Sequence, residues 1–160
     1  LVLRNEGDGH FRNVSAGALW AKAAAHRGAA FGDLDGDGRI DAVTTVLNGP
    51  AEILMNRSPN SNHWILLDLQ GSKSNRDGIG AVVKVTGPEG PQWATVTTAS
   101  GYLSSSDPRV HFGLGAKSSE VTVEIHWPSG IVQTLSDVAT DRQITVNEAP
   151  GVKNASATPH

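Results

Sequence analysis

The residues most able to do chemistry in this chain are four carboxylates within residues 33–41, whose sequence is DLDGDGRID. Carboxylates this close together repel one another unless a cation lies between them. Ca²⁺ takes hard oxygen ligands, which such loops supply from alternate side chains and one backbone carbonyl. Gly38 permits the sharp turn that points the next carbonyl inward. The stretch therefore predicts a calcium site formed by Asp33, Asp35, Asp37, the carbonyl of Arg39, and Asp41.

Three other interpretations of this stretch are weaker. An EF-hand needs a Glu at its last ligand position and flanking helices, but Thr44 stands there and residues 42–47 are β-branched and apolar. An Asp/Gly turn without metal is common, although four aspartates are more than a turn needs. A catalytic metal site usually has His ligands or an open coordination position, and no His lies within the stretch.

The composition limits the fold and the kinds of partner. The 160 residues include 18 Gly, 8 Pro and 5% aromatic residues, which is typical of an all-β protein with many turns. The formal net charge is -3 and the 13 Lys and Arg are scattered, so no surface for nucleic acid is expected. No apolar run approaches the ~20 residues of a membrane span.

Two features bear on where the protein works. Cysteine is absent, so neither disulfides nor thiolate chemistry are available. A weak calcium loop favours a secreted, extracellular or periplasmic setting, where millimolar Ca²⁺ can fill it. Residues 1–5 begin as if within a strand, so we expect a fragment of a longer protein.

Residues 1–57 are predicted to form strands around the calcium loop, as in part of a β-propeller blade. The dipeptide Asp8-Gly9 is a strong hairpin signal. The sequence LVLRN at residues 1–5 resembles EILMN at residues 52–56, and a period of about 50 residues occurs in propeller repeats. The predicted strands are residues 1–5, 10–14, 29–32 (short and buried), 41–47 and 51–56.

Residues 58–148 are predicted to form an antiparallel β-sandwich or barrel, after a polar, Pro-containing boundary. In its clearest strand, Val121, Val123 and Ile125 share one face with Trp127. Trp64 and Trp93 lie among apolar residues, so we expect core packing, although exposed tryptophans could instead be platforms for sugars. Residues 149–160 are small and polar and are predicted to be a disordered tail.

Two resemblances cover most of the chain. Residues 28–41 with their flanking strands resemble an FG-GAP/VCBS repeat, which implies a propeller blade that binds calcium through the five residues named above. Residues 62–148 resemble the ASPIC/UnbV domain in the motifs NHW (62–64), SNRDGIGA (74–81), HFGLG (111–115) and WPSG (127–130). The combination is similar to the carboxyl-terminal region of CRTAC1-like secreted proteins, which implies an extracellular matrix or adhesion role. The strands present are too few to close a propeller.

A second group of polar residues could bind a partner. Arg76 could hold a carboxylate or an anionic sugar, but we favour a structural role, such as pairing with Asp107. No nucleophile elbow or oxyanion motif surrounds the serines near His111, so a hydrolase is disfavoured and we expect His111 to bond to backbone at a strand edge. The candidate ligand-binding residues are Asn75, Arg76, Tyr102, Asp107 and His111.

The function that these observations favour is a non-enzymatic, calcium-binding recognition or adhesion module of a longer secreted protein. Its partner would be an extracellular protein or a glycan. The alternative is an accessory carbohydrate-binding domain of a larger secreted enzyme, which requires exposed Trp or Tyr side chains on one sheet face. The two interpretations differ in which surface meets the partner.

Overall fold

The structure is a computed structural model that describes residues 3–14, 24–59 and 61–150. Within these residues the chain forms strands joined by turns and irregular segments. None of the described residues belongs to a helix long and apolar enough to cross a membrane. The expectation of an all-β fold is confirmed, whereas the predicted tail beyond residue 150 lies outside the described residues.

The strands of the amino-terminal part are β1 (Leu3–Gly7), β2 (His10–Asn13), β3 (His26–Gly32), β4 (Asp41–Val46) and β5 (Glu52–Leu54). β1 and β2 form an antiparallel hairpin, and β3, β4 and β5 form an antiparallel sheet in that order. The first hairpin turns at Asp8 and Gly9, both with positive φ (49° and 77°), as the Asp-Gly dipeptide predicts.

β3 and β4 position the acidic loop, which we define as residues 33–41, the stretch predicted above to bind calcium. Gly32 at the end of β3 pairs with Asp41 at the start of β4, so the two strands close the loop at its base. The β-branched residues of β4 suit an extended backbone, and Val43 pairs with Ile53 of β5 on its other side. The loop is therefore the connection of a hairpin whose second strand lies at the centre of its sheet.

The remaining strands are β6 (His63–Gln70), β7 (Val82–Gly87), β8 (Gly90–Thr95), β9 (Ala99–Gly101), β10 (Ser104–Ser105), β11 (Val110–Gly115), β12 (Glu120–His126), β13 (Val132–Ala139) and β14 (Arg142–Asn147). One sheet has the order β11-β6-β14 and another has the order β13-β12-β7-β8. β9 and β10 form a short hairpin of their own.

These two larger sheets form a sandwich, because their inward side chains belong to one hydrophobic cluster. Alternation along β12 produces the inner face, with Val121, Val123 and Ile125 at most 3% exposed. Trp127 is buried beside them and donates its indole N–H to Gln133 Oε1 at 3.1 Å. The buried core residues are Ile65, Leu67, Leu69, Ala81, Val83, Val85, Val96, Val110, Phe112, Leu114, Val121, Val123, Ile125, Trp127, Ile131 and Val146.

One strand pair departs from the antiparallel expectation. β14 runs parallel to β6, with Arg142 opposite Ile65 and Asn147 opposite Gln70. A parallel neighbour needs a crossover connection rather than a tight hairpin. Here β13 belongs to the four-stranded sheet and β14 to the three-stranded one, so the chain changes sheet at residues 140–141 and enters beside β6 in the same direction.

Two predictions of buried side chains were wrong. Phe31 is 49% exposed and Trp93 is 56% exposed. Phe31 lies in β3, and the hydrophobic cluster of the described residues is confined to the sandwich, so β3 has no comparable core to enter. Trp93 pairs with Lys84, on the face of its sheet opposite the buried Val83. Apolar neighbours in sequence do not determine whether Trp93 points to the core or to solvent. The register of β8 against β7 determines the face of the sheet on which the side chain lies.

Glu148 fastens the end of β14 to two turns of the sandwich. Its carboxylate is 3% exposed and accepts hydrogen bonds from the backbone N–H groups of Ser72, Lys73 and Ser74 at 2.7–2.8 Å. The hydroxyls of Ser74 and Ser129 donate to its other oxygen. Burial acts to raise the pKa of Glu148, but these hydrogen bonds outweigh it and lower the pKa from 4.5 to about 2.

We expect the Glu148 interaction to stabilise the fold only in its ionised form. Because the pKa is lower in the folded state, the stabilisation is complete above pH 4.5 and is lost as the pH falls toward 2. This contribution to the free energy of unfolding is on the order of 3 kcal/mol at neutral pH. Glu148→Gln should lower the free energy of unfolding by that order at pH 7 and much less near pH 2.5, measured by urea denaturation. Glu120→Gln, at an exposed position, is the control and should show no such pH-dependent loss.

Candidate functional site

Three carboxylates meet in the loop between β3 and β4. Asp33, Asp35 and Asp37 each offer an oxygen, and these oxygens all lie within 4.8 Å of one another. Gly36 and Gly38 adopt positive φ (77° and 82°), which turns the chain around the cluster at little steric cost. Asp33 is buried and Asp35 is exposed, so the cluster opens to solvent on one side.

The buried Asp33 organises the loop backbone. Its Oδ1 accepts the N–H groups of Gly36 and Asp37 at 2.8 and 3.2 Å, and its Oδ2 accepts that of Gly38 at 2.9 Å. A carboxylate that accepts several backbone N–H groups holds its turn in one conformation. Asp33 therefore shapes the loop in addition to offering oxygen to a cation.

Asp41 lies outside the cluster of three and fastens the loop at its base. Its Oδ2 accepts the N–H of Leu34 at 3.0 Å, and its Oδ1 accepts the N–H of Asn56 at 2.7 Å. It is 2% exposed. Asp41 thus joins the first residues of the loop to the segment after β5, and both of its oxygens already have backbone donors.

Two arginines partly balance the acidic charge. Arg57 Nη1 lies 2.6 Å from Asp35 and 3.1 Å from Asp37, and Arg39 Nη2 lies 2.6 Å from Asp37. The pKa of Asp37 is lowered, first by the backbone N–H of Arg39 and then by the side chains of Arg39 and Arg57. The hydrogen bond that Arg57 donates to Asp35 raises the pKa of Arg57. Sequence reasoning missed Arg57, since its partners are about 20 residues away.

The donor set fits a hard divalent cation. Four aspartates carry four negative charges and two arginines carry two positive charges, which leaves a net charge of about -2. Carboxylate oxygens are ligands that Ca²⁺ and Mg²⁺ accept, and an irregular set of loop oxygens suits the variable coordination of Ca²⁺ better than the strict octahedron of Mg²⁺. The loop is therefore an Asp-rich group able to hold an ion.

The sandwich contacts the middle of this loop. His111 Nε2 lies 2.8 Å from the carbonyl oxygen of Gly38, and a Cβ at Gly38 would overlap the indole of Trp64. The rings of Trp64 and His111 are stacked, with planes 11° apart and centroids 6.1 Å apart. The bond from His111 to backbone agrees with the expectation from sequence, whereas the half-buried Trp64 covers the loop instead of filling the core.

The chain of the sandwich also pairs with the edge of β3, through the β9–β10 hairpin and the residues that follow it. The N–H of Asp107 donates to Phe31 O at 3.0 Å, and the N–H of Phe31 donates to Ser106 Oγ at 3.1 Å. The N–H of Ala29 donates to Ser104 Oγ at 2.9 Å. Between the two parts lies a cavity of about 260 Å³ lined by Phe31, Leu34, Asp41, Asp107 and Arg109, among others.

Arg109 links this contact to the acidic loop. It donates through Nε to both oxygens of Asp107, at 3.0 and 2.8 Å, and through Nη1 to Gln143 at 2.8 Å. Its Nη2 reaches Asp33 O at 3.4 Å. Burial acts to raise the pKa of Asp107, but the hydrogen bonds from Arg109 outweigh it and lower that pKa, while Asp107 raises the pKa of Arg109.

Comparison with known proteins identifies the family. Residues 71–153 match the family described as "ASPIC and UnbV", and residues 1–44 match the family described as "FG-GAP-like repeat". The chain belongs to the ASPIC and UnbV family. This ASPIC/UnbV chain carries its FG-GAP-like repeat on the amino-terminal side, as the resemblance drawn from the motifs implies.

Three curated relatives have the same printed name, Cartilage acidic protein 1. The protein from Xenopus tropicalis is 31% identical over 113 residues, covering 68% of this chain and 17% of the relative. The protein from Mus musculus is 27% identical over 152 residues (92% and 23%), and that from Homo sapiens is 27% identical over 134 residues (81% and 20%). The ASPIC/UnbV chain therefore spans about a fifth of the length of the curated relatives that it matches.

The five candidate ligand-binding residues do not form one site. Asn75 bonds through both side-chain atoms to the backbone of Ile79, at 2.6 and 2.9 Å. Arg76 bonds to its neighbour Asp77 at 3.2 Å rather than to Asp107, so the expected Arg76–Asp107 pair is corrected. Asp107 instead pairs with Arg109. The two residues are two positions apart just before β11, and in an extended chain this spacing places both side chains on the same side of the backbone. Tyr102 is 73% exposed at the tip between β9 and β10, whereas Asp107 and His111 lie at the acidic loop.

We expect Arg57 to act as a built-in counter-ion of the loop when no divalent ion is present. Arg57→Gln should lower the melting temperature in EDTA, because the repulsion between Asp35 and Asp37 is then offset only by Arg39, which pairs with Asp37. The loss should be larger in ~10 mM salt than in ~0.5 M salt, since salt screens exposed charges. Arg76→Gln, which removes an exposed arginine from another ion pair, is the control. An equal loss in both variants, or one independent of salt, would contradict this role.

Proposed function

We propose that this chain is a non-enzymatic, calcium-stabilised recognition module of a longer extracellular protein. The observation that carries the proposal is the meeting of the Asp33, Asp35 and Asp37 carboxylates within 4.8 Å in one hairpin loop. Membership of the ASPIC and UnbV family, an FG-GAP-like repeat and similarity to Cartilage acidic protein 1 support it. An extracellular location also suits the proposal, because free Ca²⁺ there is on the order of millimolar.

In this proposal the loop residues have different roles in ligating the ion and in holding the loop. Asp35 and Asp37 present the most accessible oxygens, while Asp33 offers oxygen and holds three backbone N–H groups. Asp41 keeps the loop closed on β5 and, with the Arg39 carbonyl, completes the set of proposed ligands. A bound Ca²⁺ would supply positive charge that neutralises the cluster. The ion would stabilise the turn and would do no covalent chemistry.

A hydrolase centred on Asp107 and His111 is disfavoured by their contacts. The Asp107 carboxylate is engaged by Arg109, and His111 Nε2 faces the Gly38 carbonyl. Ser104 and Ser106 accept N–H groups of β3 through their hydroxyls. A catalytic triad needs the Ser hydroxyl bonded to His, which takes its proton, and the His bonded to Asp, which orients the ring. The contacts of these residues support docking of β3 instead.

Calcium titration by calorimetry of the whole chain tests the proposal. With a Kd of about 0.1 mM and free Ca²⁺ of about 1–2 mM, binding should add about 1.4–1.8 kcal/mol to the free energy of unfolding. Asp35→Asn should abolish most of this gain, because it removes a ligand charge at the open side of the cluster. Asp77→Asn, an aspartate of another loop, should leave it unchanged. An identical melting temperature in Ca²⁺ and in EDTA for the unsubstituted chain would exclude the proposal.

A second candidate function is sugar binding at an exposed tryptophan on the sandwich. Trp93 is 56% exposed, and its ring lies 5.2 Å from Lys84 Nζ and 6.2 Å from the His126 ring. His126 Nε2 is 2.7 Å from Glu124 Oε1. The carbohydrate-binding alternative requires an aromatic platform on a sheet face, and these residues share one face of β7, β8 and β12. The C–H groups of a sugar ring could pack on the indole, with the charged groups bonding to its hydroxyls.

We expect tryptophan fluorescence to change on titration with neutral hexose oligomers or with uronate-containing oligomers if this face binds sugar. Trp93→Ala should remove the binding, since it removes the stacking platform. Tyr102→Ala, which removes the exposed aromatic of another loop, should retain it. The absence of any saturable change with either class of oligomer would eliminate this second candidate.

A further inference from the structure

We propose that His111 and Trp64, which belong to the sandwich, are positioning residues of the cation loop, so that cation binding and docking of the sandwich against β3 stabilise each other. The inference rests on the proposed function that the loop binds Ca²⁺. It assigns to the ASPIC/UnbV part a role in a site whose proposed ligands all lie in the FG-GAP-like repeat. Three contacts of the sandwich chain converge on the loop.

The first contact acts through a single peptide unit. His111 Nε2 donates to the carbonyl oxygen of Gly38 at 2.8 Å, since a carbonyl can only accept. The same peptide unit carries the N–H of Arg39, which donates to Asp37 Oδ1 at 2.9 Å. A peptide unit is planar and rigid, so an interaction that orients its carbonyl also orients its N–H. His111 therefore helps to aim a carboxylate of the cluster without touching the cation.

The second contact is the indole of Trp64, which covers the loop at Gly38. A side chain larger than hydrogen at Gly38 would overlap this ring, and Gly38 has φ of 82°, so the position requires glycine on two grounds. Trp64 is itself held by Asp141, which accepts its N–H at 3.3 Å and donates its own N–H to Trp64 O at 2.7 Å. The backbone of Trp64 is therefore held by a residue of the sandwich, and not by the loop that its indole ring contacts.

The third contact holds the entry to the loop. Arg109 Nη2 donates to Asp33 O at 3.4 Å, while Phe31, two residues earlier, exchanges hydrogen bonds with Asp107 and Ser106. Asp33 is a proposed ligand and the acceptor of three loop N–H groups. The sandwich therefore fixes the backbone at both Asp33 and Gly38, on either side of the other two clustered carboxylates.

Energetic coupling follows from this placement. A loop that is already held in the ligating conformation loses less conformational freedom when it binds a cation. By linkage, a cation that favours this conformation must favour docking of the sandwich by the same factor. If the contacts were packing alone, their loss would lower the stability of the fold and leave the affinity for Ca²⁺ unchanged.

The test is the Ca²⁺ dissociation constant of the full chain, measured by calorimetry for the unsubstituted protein, His111→Phe and His111→Gln. Phe keeps a flat ring beside Trp64 but cannot donate, and we expect its dissociation constant to rise about fivefold or more. Gln has an N–H donor and should recover part of the affinity. His10→Phe replaces an exposed histidine of β2 and should bind as the unsubstituted chain does.

Hydrogen exchange of the segment that contacts β3, residues 104–107, provides a second readout. Ca²⁺ should slow exchange there in the unsubstituted chain, and this slowing should shrink in His111→Phe. Equal affinity and equal slowing in both proteins would overturn the inference while leaving calcium binding intact. Failure of the unsubstituted chain to bind Ca²⁺ would instead overturn the proposed function, and the inference with it.

A variant at another contact keeps the test decisive if His111→Phe does not fold. Ser104→Ala removes one hydroxyl that accepts the N–H of Ala29 in β3, and it creates no clash. We expect weaker Ca²⁺ binding in this variant as well. The factor should be smaller than in His111→Phe, because Ser104 contacts Ala29, which precedes the loop, whereas His111 contacts Gly38 within it. Circular dichroism establishes that each variant is folded before titration, and unchanged affinity of folded Ser104→Ala together with an unfolded His111→Phe would contradict the inference.

Discussion

The repulsion among the carboxylates of one hairpin loop is the physical constraint on which the amino-terminal part of this chain depends. Closing β3 on β4 brings Asp33, Asp35 and Asp37 together, with Asp41 at the base. Backbone N–H groups compensate the buried Asp33 and Asp41. Arginine side chains compensate only part of the rest, so the loop retains a charge that suits a divalent cation.

A comparison with Glu148 shows why the loop is a candidate site and Glu148 is not. Glu148 is buried and has donors on both oxygens, and its pKa is lowered to about 2 by those donors. Its hydrogen-bonding capacity is used within the fold. Asp35 is exposed and Asp37 is half-buried, and both pair with the exposed side chain of Arg57, which a cation can replace at little cost. The Glu148 carboxylate therefore stabilises the fold, whereas the carboxylates of Asp35 and Asp37 remain available to bind a cation.

The two parts of the chain meet where the charge is concentrated. The amino-terminal sheet does not contribute to the hydrophobic cluster of the described residues, and the sandwich supplies polar partners to the edge of β3 and to Gly38. Sheet edges carry unpaired backbone groups that need partners. The sandwich therefore covers part of this edge with serine hydroxyls and backbone, and the same contact brings Trp64 and His111 over the acidic loop.

The sequence by itself determined the all-β fold, the hairpin at Asp8-Gly9, the inner face of β12 and the acidic loop, because each depends on residues close together in the chain. Tertiary structure alone decided the parallel entry of β14, the exposure of Trp93 and the contacts of Arg57, Trp64 and His111 with the loop. These depend on strand register and on which sheet edge meets which loop, and the partners can be far apart in sequence, as His111 and Gly38 are at 73 residues. Local patterns specify what a segment can form, whereas long-range packing specifies what it touches.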